Sequence, residues 1–262
     1  MRLIGMTTSP WTERARWALD HHGLSYEYVP HVPLMGEPAL RMSARRFDKA
    51  TAPLLVDGKR RVMGSIEIAR YADRAGKEGT LFPAGHDPEI EDWDRESEAA
   101  LCAARALTLA RMAVSRGAQA ESLPSFVPDA LRGVLAPGSR LGIAWVQRKY
   151  AAGEEATREA SRVLVAALER LERALGERRY LLGTFSFADI AMSAIVAGVR
   201  PVSLELAPHI TIGPAVRACW GDPELEARFP RLLEWRDALY RDHRSARARR
   251  SEDGVERSAS VE

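Results

Sequence analysis

Ser9-Pro10-Trp11-Thr12-Glu13-Arg14 opens a segment whose apolar residues Trp11, Ala15, Ala18 and Leu19 recur at helical spacing up to Gly23. It follows a short apolar run, residues 3–6, so the chain begins as strand, turn, helix. Ser9 takes the N-cap position and Pro10 the first turn, where a proline's fixed φ and missing N–H cost nothing. A helix start of this kind leaves backbone N–H groups unpaired and carries partial positive charge, which suits a thiolate or another anion. Whether Ser9 only caps the helix or also faces a ligand stays open on these residues alone.

Working outward, residues 3–6 and 26–29 read as strands flanking this helix, and the order strand, helix, strand implies a parallel pair with a right-handed crossover. Pro30, Pro33 and Pro38 then break the pattern, and residues 40–47 read as a short irregular helix. Two apolar runs within Thr51-Ala52-Pro53-Leu54-Leu55-Val56-Asp57-Gly58-Lys59-Arg60-Arg61-Val62-Met63 flank Asp57-Gly58, a tight-hairpin signal. Pro53 begins the first of these strands, a position that tolerates proline. A cis Ala52–Pro53 bond would present the Ala52 backbone as an edge for an extended peptide, although trans is the commoner form of an X–Pro bond. Ile66, Ile68, Ala69, Tyr71 and Ala72 place a second helix start near Ser65.

Residues 76–88, with Gly76, Gly79, Pro83, Gly85 and Pro88, have the composition of a linker, and from Glu89 onward the pattern is helical. Ile90, Trp93, Ser97, Ala100, Leu101, Ala104 and Leu107 trace one face of a long helix. Residues 116–140 carry Pro124, Pro128 and Pro137 and read as a broken excursion with at most a short helix at 129–134, a candidate site wall. Leu164, Leu168, Leu171 and Leu175 form a stripe that ends at Gly176. Phe185-Ser186-Phe187-Ala188-Asp189-Ile190 is an N-cap signature, with Ser186 as cap, Asp189 reaching back from the third helical position, and Phe185 and Ile190 as a hydrophobic staple. Residues 225–240 supply a last helix, and the basic run beyond Arg241 reads as a solvated tail. The expected organisation is a first domain 1–76, a linker 77–88, an all-helical domain 89–243 and a flexible tail 244–262.

Composition narrows the function classes. With 46% apolar residues among 262, the chain can bury a real core, and its formal charge of +2 gives no nucleic-acid footprint. The tail has no aromatic residue interleaved with its charges, which also speaks against nucleic acid. No apolar run approaches the roughly 20 residues of a membrane span and the start lacks a signal-peptide core, so a cytoplasmic protein is expected. Cys102 and Cys219 give no disulfide framework and read as two buried structural thiols. Adjacent His21 and His22 diverge by about 100° on a helix, so they read as a helix-end surface pair, and no metal site is expected.

Ser9-Pro10-x-x-x-Arg14, Ala52-Pro53, Gly64-Ser65-x-x-Ile68 and the capping box at 185–190, in this order and spacing, resemble the glutathione transferases. The resemblance implies an α/β thioredoxin-like N-terminal domain followed by an all-α helical bundle, a cis bond before Pro53, and a homodimer. It also implies that glutathione is held as co-substrate by Trp11, Ala52, Pro53, Gly64 and Ser65, without a metal. Ser9 stands where serine-type members donate a hydrogen bond to the sulfur, so the implied activity is attack of the glutathione thiolate on a small, hydrophobic electrophile. Ala52 would pair through its backbone with the cysteinyl unit and Ser65 would bind the γ-glutamyl carboxylate.

One departure and two alternatives accompany this reading. The family usually has Glu or Gln before the serine of the second helix, and Gly64 offers no side chain there. A non-catalytic binding or scaffold module and a glutathione-dependent isomerase are the alternatives. Thiol–disulfide exchange is excluded at this helix start, because Ser9-x-x-Thr12 provides hydroxyls only, and Thr12 is expected to point along the surface.

Overall fold

The computed structural model describes residues 1–33, 35–46, 48–122, 154–210 and 212–245. The first part of the chain runs β1 (Arg2–Gly5), α1 (Pro10–His21), β2 (Glu27–Pro30), α2 (Glu37–Ala44), β3 (Leu54–Asp57), β4 (Arg60–Met63) and α3 (Ser65–Ala75). The sheet order is β2-β1-β3-β4; β1 is parallel to β2, and β3 is antiparallel to both β1 and β4. Side chains alternate across the sheet, so Leu3 and Leu55 enter the core shared with α1 and α3, while Ile4, Leu54 and Val56 pack with Leu40 and Ala44 of α2. Helices thus cover both faces, which is why the strands read as apolar runs.

The hairpin turn lies one position later than its dipeptide signal suggests. Asp57 pairs with Arg60 in the ladder and Gly58-Lys59 forms the two-residue loop, with Gly58 at φ 51°. Asp57 is held in the strand by the Tyr71 hydroxyl, which donates to its carboxylate at 2.5 Å. The irregular helix expected at 40–47 begins earlier, at Glu37, with Pro38 in its first turn.

The second part runs α4 (Asp87–Val114), α5 (Arg116–Glu121), α6 (Glu154–Leu175), α7 (Phe187–Val196), α8 (Pro214–Trp220), α9 (Pro223–Arg228), α10 (Pro230–Leu239) and a π-helical turn, Tyr240–Ser245. The expected inner face of α4, from Ile90 to Leu107, is buried, and α4 packs along α6 and α7. The α6 stripe is buried as well, and Gly176 follows it at φ 50°, the left-handed stop the pattern requires. Every residue of α7 is buried. Its start carries the predicted capping box: the Asp189 carboxylate accepts from Ser186 N–H (2.9 Å), Ser186 Oγ (3.0 Å) and Leu181 N–H (2.9 Å). Phe185 packs on Trp17, Tyr180 and His243.

Several expectations are corrected. The excursion begins with an ordered turn, α5, whose N-terminus is capped by Ser115 Oγ accepting from Ala118 N–H, and the helix expected at 129–134 lies outside the described residues. The last helix is two: Pro230 has no N–H to continue a ladder, so α9 ends before it and α10 begins with it. Arg241–Ser245 is not a solvated tail, because Arg244 is 1% exposed and ion-paired to α1. His21 and His22 are buried rather than at the surface, since the end of α3 and the chain after it pack over them: His21 Nε2 lies 2.8 Å from Gly79 O and His22 Nε2 3.2 Å from Asp73 Oδ1. Thr12 is buried too, against Gly5, where any Cβ would come within 2.6 Å of the threonine side chain. Cys219 is buried, but Cys102 is exposed on α4.

Candidate functional site

Register assembles the site. Ile4 pairs with Leu54 and Leu54 with Met63, so the three stand in one row across the sheet. Beyond that row the chain continues into the β1–α1 loop and Ser9, back into Pro53 and Ala52, and forward into Gly64 and Ser65. Three stretches separated in sequence therefore emerge at one end of one sheet.

Each offers an uncommitted polar group there. Ser9 is the N-cap of α1, yet its hydroxyl makes no capping bond; its carbonyl accepts from Glu13 N–H and its N–H donates to Met6 O, both at 3.0 Å. The half-buried hydroxyl is left at the positive end of a 12-residue helix. The Ala52–Pro53 bond is cis, and the Ala52 backbone makes no hydrogen bond among the described residues. Ser65 is 3% exposed at the first position of α3 and its hydroxyl has no partner among the described residues. Gly64 caps that helix at φ 90° with open space where a Cβ would stand. Backbone conformation, rather than crowding, is what favours glycine there.

Trp11 is placed differently from the other five. Its indole N–H donates to both carboxylate oxygens of Glu98 on α4, at 2.8 and 2.7 Å. Arg14, buried beneath it, donates to Glu98 Oε1 at 2.8 Å and pairs with Asp94. Burial pushes the Arg14 guanidinium down to about 10 despite Glu98 beside it, which leaves it cationic at neutral pH. Arg105 covers the Trp11 ring, its guanidinium 4.8 Å from the ring centre. This wall, built by α4 against α1, was missed in the sequence; its one local trace is that Trp11 and Arg14, three apart, share a helix face.

A second missed cluster lies behind α1. Glu13, 5% exposed, accepts from Arg244 Nε at 2.8 Å and from His209 Nε2 at 2.7 Å, while Asp20 accepts from Arg244 Nη1 at 2.6 Å. Burial raises the Glu13 carboxyl, but Arg244 and His209 outweigh it and hold the group well below the usual carboxylate range.

A family model for the glutathione S-transferase N-terminal domain matches residues 3–78, and one for the glutathione S-transferase C-terminal domain matches residues 144–238. The chain belongs to the glutathione S-transferase family. No curated protein matches the sequence. Among solved structures it is similar to a glutathione S-transferase from Methylobacterium radiotolerans in complex with glutathione sulfonate (TM-score 0.59, 21% identity, 94% of this chain and 92% of that one). It is similar also to one from Methylobacillus flagellatus with glutathione bound (0.56, 15%, 92% and 98%) and to the beta-etherase LigF from Sphingobium (0.53, 19%, 89% and 98%). At these identities the likeness concerns fold: a glutathione S-transferase architecture of thioredoxin-like domain and helical domain. Among the described residues no helix is long and apolar enough to cross a membrane.

Proposed function

We propose that this family member binds glutathione at the sheet end and activates its sulfur with the Ser9 hydroxyl for attack on an electrophilic carbon. The observation that carries the reading is that the Ser9 hydroxyl, the Ala52 backbone and the Ser65 hydroxyl, all without internal partners among the described residues, meet at one end of the sheet. An extended peptide laid along Ala52 continues the sheet through backbone hydrogen bonds. Its γ-glutamyl carboxylate reaches the start of α3, where Ser65 and the open N–H groups of the first turn receive an anion. Its sulfur comes to the start of α1. The neighbours described with glutathione and glutathione sulfonate support this choice of ligand.

A free thiol of pKa about 8.5 is mostly protonated at neutral pH. Lowering it by about two units needs roughly 2.7 kcal/mol, within reach of one charge-assisted hydrogen bond and a helix end together. The thiolate then forms the S–C bond as the leaving group departs with its electron pair. Trp11, whose N–H is held by Glu98, contributes ring surface to this cleft rather than a donor. We place the protein in the cytoplasm as a homodimer.

Gly64 favours a second reading, a binding module without catalysis, because the side chain that would grip the γ-glutamyl group is missing. Calorimetry with glutathione, followed by the 240 nm thiolate titration of the complex for wild type and Ser9→Ala, separates the two. Binding with a thiol ionisation shifted to higher pH by Ser9→Ala is expected. No binding at millimolar glutathione rejects both glutathione readings, and binding with an ionisation indifferent to Ser9 leaves the module.

A further inference from the structure

We infer that the outer face of α2, with the turn before it and the β3–β4 hairpin beside it, docks on an anionic phospholipid surface; the inference is independent of the glutathione reading above. Residues 37–61 hold seven Lys and Arg against three Asp and Glu, a net +4 in a chain whose total is +2, so the rest of the protein is net negative. Arg41, Arg45, Arg46, Lys49, Lys59 and Arg60 are all exposed. Of the three acids, Asp57 is taken by the Tyr71 hydroxyl, Glu37 lies 3.7 Å from His31 Nε2, and Asp48 is the one left exposed. Tertiary contacts draw the cations together. Arg61 Nε donates to Ser43 O and its Nη1 to Gly58 O, both at 2.7 Å, which fastens the end of α2 to the hairpin turn. Arg45 and Arg46, directly after α2, are thereby brought toward Lys59 and Arg60.

Apolar side chains stand exposed in the same place. Among the described residues five large apolar side chains are exposed, and three of them, Val32 (53%), Met35 (70%) and Met42 (71%), fall within residues 32–42. Leu40 and Ala44 turn inward against the sheet, so at 100° per residue Met42 points the other way, with Arg41 and Arg45 next to it. Gly36 N–H donates to Val32 O at 2.8 Å, closing the turn that carries Val32 and Met35 into the start of α2. Exposed apolar groups ringed by cations match the interface of an anionic bilayer: the apolar groups enter the headgroup region while the long basic side chains keep their charges at the phosphates. A second copy of the chain fits worse, because a two-fold interface sets this patch against itself, like charge facing like. Nucleic acid would engage the cations and leave the methionines in water. Ala52 follows Lys49 by three residues, at most about 10 Å of chain, so docking holds the sheet end close to lipid, the phase in which apolar molecules concentrate.

Sedimentation of the full chain with vesicles tests this, using phosphatidylcholine alone and equal parts of phosphatidylcholine and phosphatidylserine. Three double variants are compared with wild type: Arg46→Glu with Lys59→Glu in the patch, Met35→Gln with Met42→Gln, and Arg162→Glu with Arg173→Glu, the same charge change at exposed positions of α6. Circular-dichroism melts establish that each is folded. Wild type is expected to bind the mixed vesicles and not those of phosphatidylcholine alone. The patch reversal should weaken that binding at least about tenfold, the methionine pair about fivefold, and the α6 reversal less than about twofold. No binding of wild type to the mixed vesicles, or a loss as large in the α6 variant as in the patch variant, overturns the proposal. Binding indifferent to the methionines reduces the contact to diffuse charge attraction and also overturns it. Tighter binding to a short DNA duplex than to the mixed vesicles assigns the patch to nucleic acid instead. Glutathione affinity is read separately by calorimetry, so a failure there leaves this proposal standing, and a failure here leaves the glutathione site standing.

Discussion

Arg244 Nε donates to Glu13 Oε1 at 2.8 Å across 231 residues of sequence, tying the last described turn of the chain to the helix that begins at Ser9. Both side chains are almost wholly buried, and Arg244 also reaches Asp20. Removing one partner of a buried pair leaves the other charged and unsolvated, typically at about 3–5 kcal/mol. Arg244→Met is therefore expected to lower thermal stability sharply, by roughly that amount, whereas Arg241→Met, on an exposed position of the same turn, should move it by less than about 0.5 kcal/mol. Melts followed by circular dichroism check both; equal effects would remove the lock from the account of the fold.

The same pair sets an acid limit. The Glu13 carboxyl is depressed in the folded state below its ordinary 4.5, so its contribution is present above that pH and is lost as pH falls through the folded value. The melting-temperature gap between wild type and Glu13→Gln should be widest at neutral pH and should narrow steadily below about pH 4.5. A gap that stays constant down to the acid unfolding transition would contradict the assignment.

Asp189 behaves in the opposite sense. Burial raises its carboxyl to about 6, outweighing the bonds from Leu181 and Ser186. A raised folded value means a contribution complete below the ordinary 3.8 and lost as pH rises through about 6. Relative to Asp189→Asn, wild type should gain stability between pH 8 and pH 5. Asp189→Ala leaves two buried N–H groups without an acceptor, at about 1–3 kcal/mol each, and should unfold several degrees earlier; an unchanged melt would reject the capping role.

Ser9→Ala and Ser65→Ala separate function from fold. Neither hydroxyl bonds within the protein among the described residues, so both variants should melt within about 0.5 kcal/mol of wild type. Ser65→Ala should weaken glutathione roughly tenfold by calorimetry, the loss of one charge-assisted bond of about 1.5 kcal/mol. A large drop in melting temperature with unchanged affinity would reverse their roles.

Gly64→Gln restores the side chain usual in the family at a backbone φ of 90°. The open space around it accommodates the side chain, but a backbone at φ 90° and ψ 142° is one that residues other than glycine rarely adopt, at a cost of about 1–3 kcal/mol. A variant that is less stable yet binds glutathione more tightly is expected. Looser binding would mean that the amino end of the ligand lies elsewhere.

Local chemistry carried the first half of this reading. Asp189 was legible because capping is decided within four residues, Ser9 and Ser65 because the onset of helical apolar spacing marks a helix start locally, and Pro53 because it stands where an apolar run begins. The hairpin slipped by one residue because Asp57 and Gly58 both suit turns, and only the ladder pairing with Arg60 decides which of them turns. Thr12, His21 and Arg244 were misplaced on the surface for a different reason. A helix shows which of its faces is apolar, but what covers its polar face depends on elements far away in sequence, here Gly5, the chain after α3 and the final turn.

The sequence by itself determined the order of the elements in the first part of the chain, the capped start of α7, the glycine stop of α6 and the stretches that emerge at the sheet end, because caps, turns and alternation are short-range. Only the tertiary structure decided that Glu98 takes the Trp11 N–H, that Arg105 covers the Trp11 ring and that Arg244 locks α1. Those pairings require side chains from separate helices to be brought together, and a charge shows its partner only when packing has removed water from both.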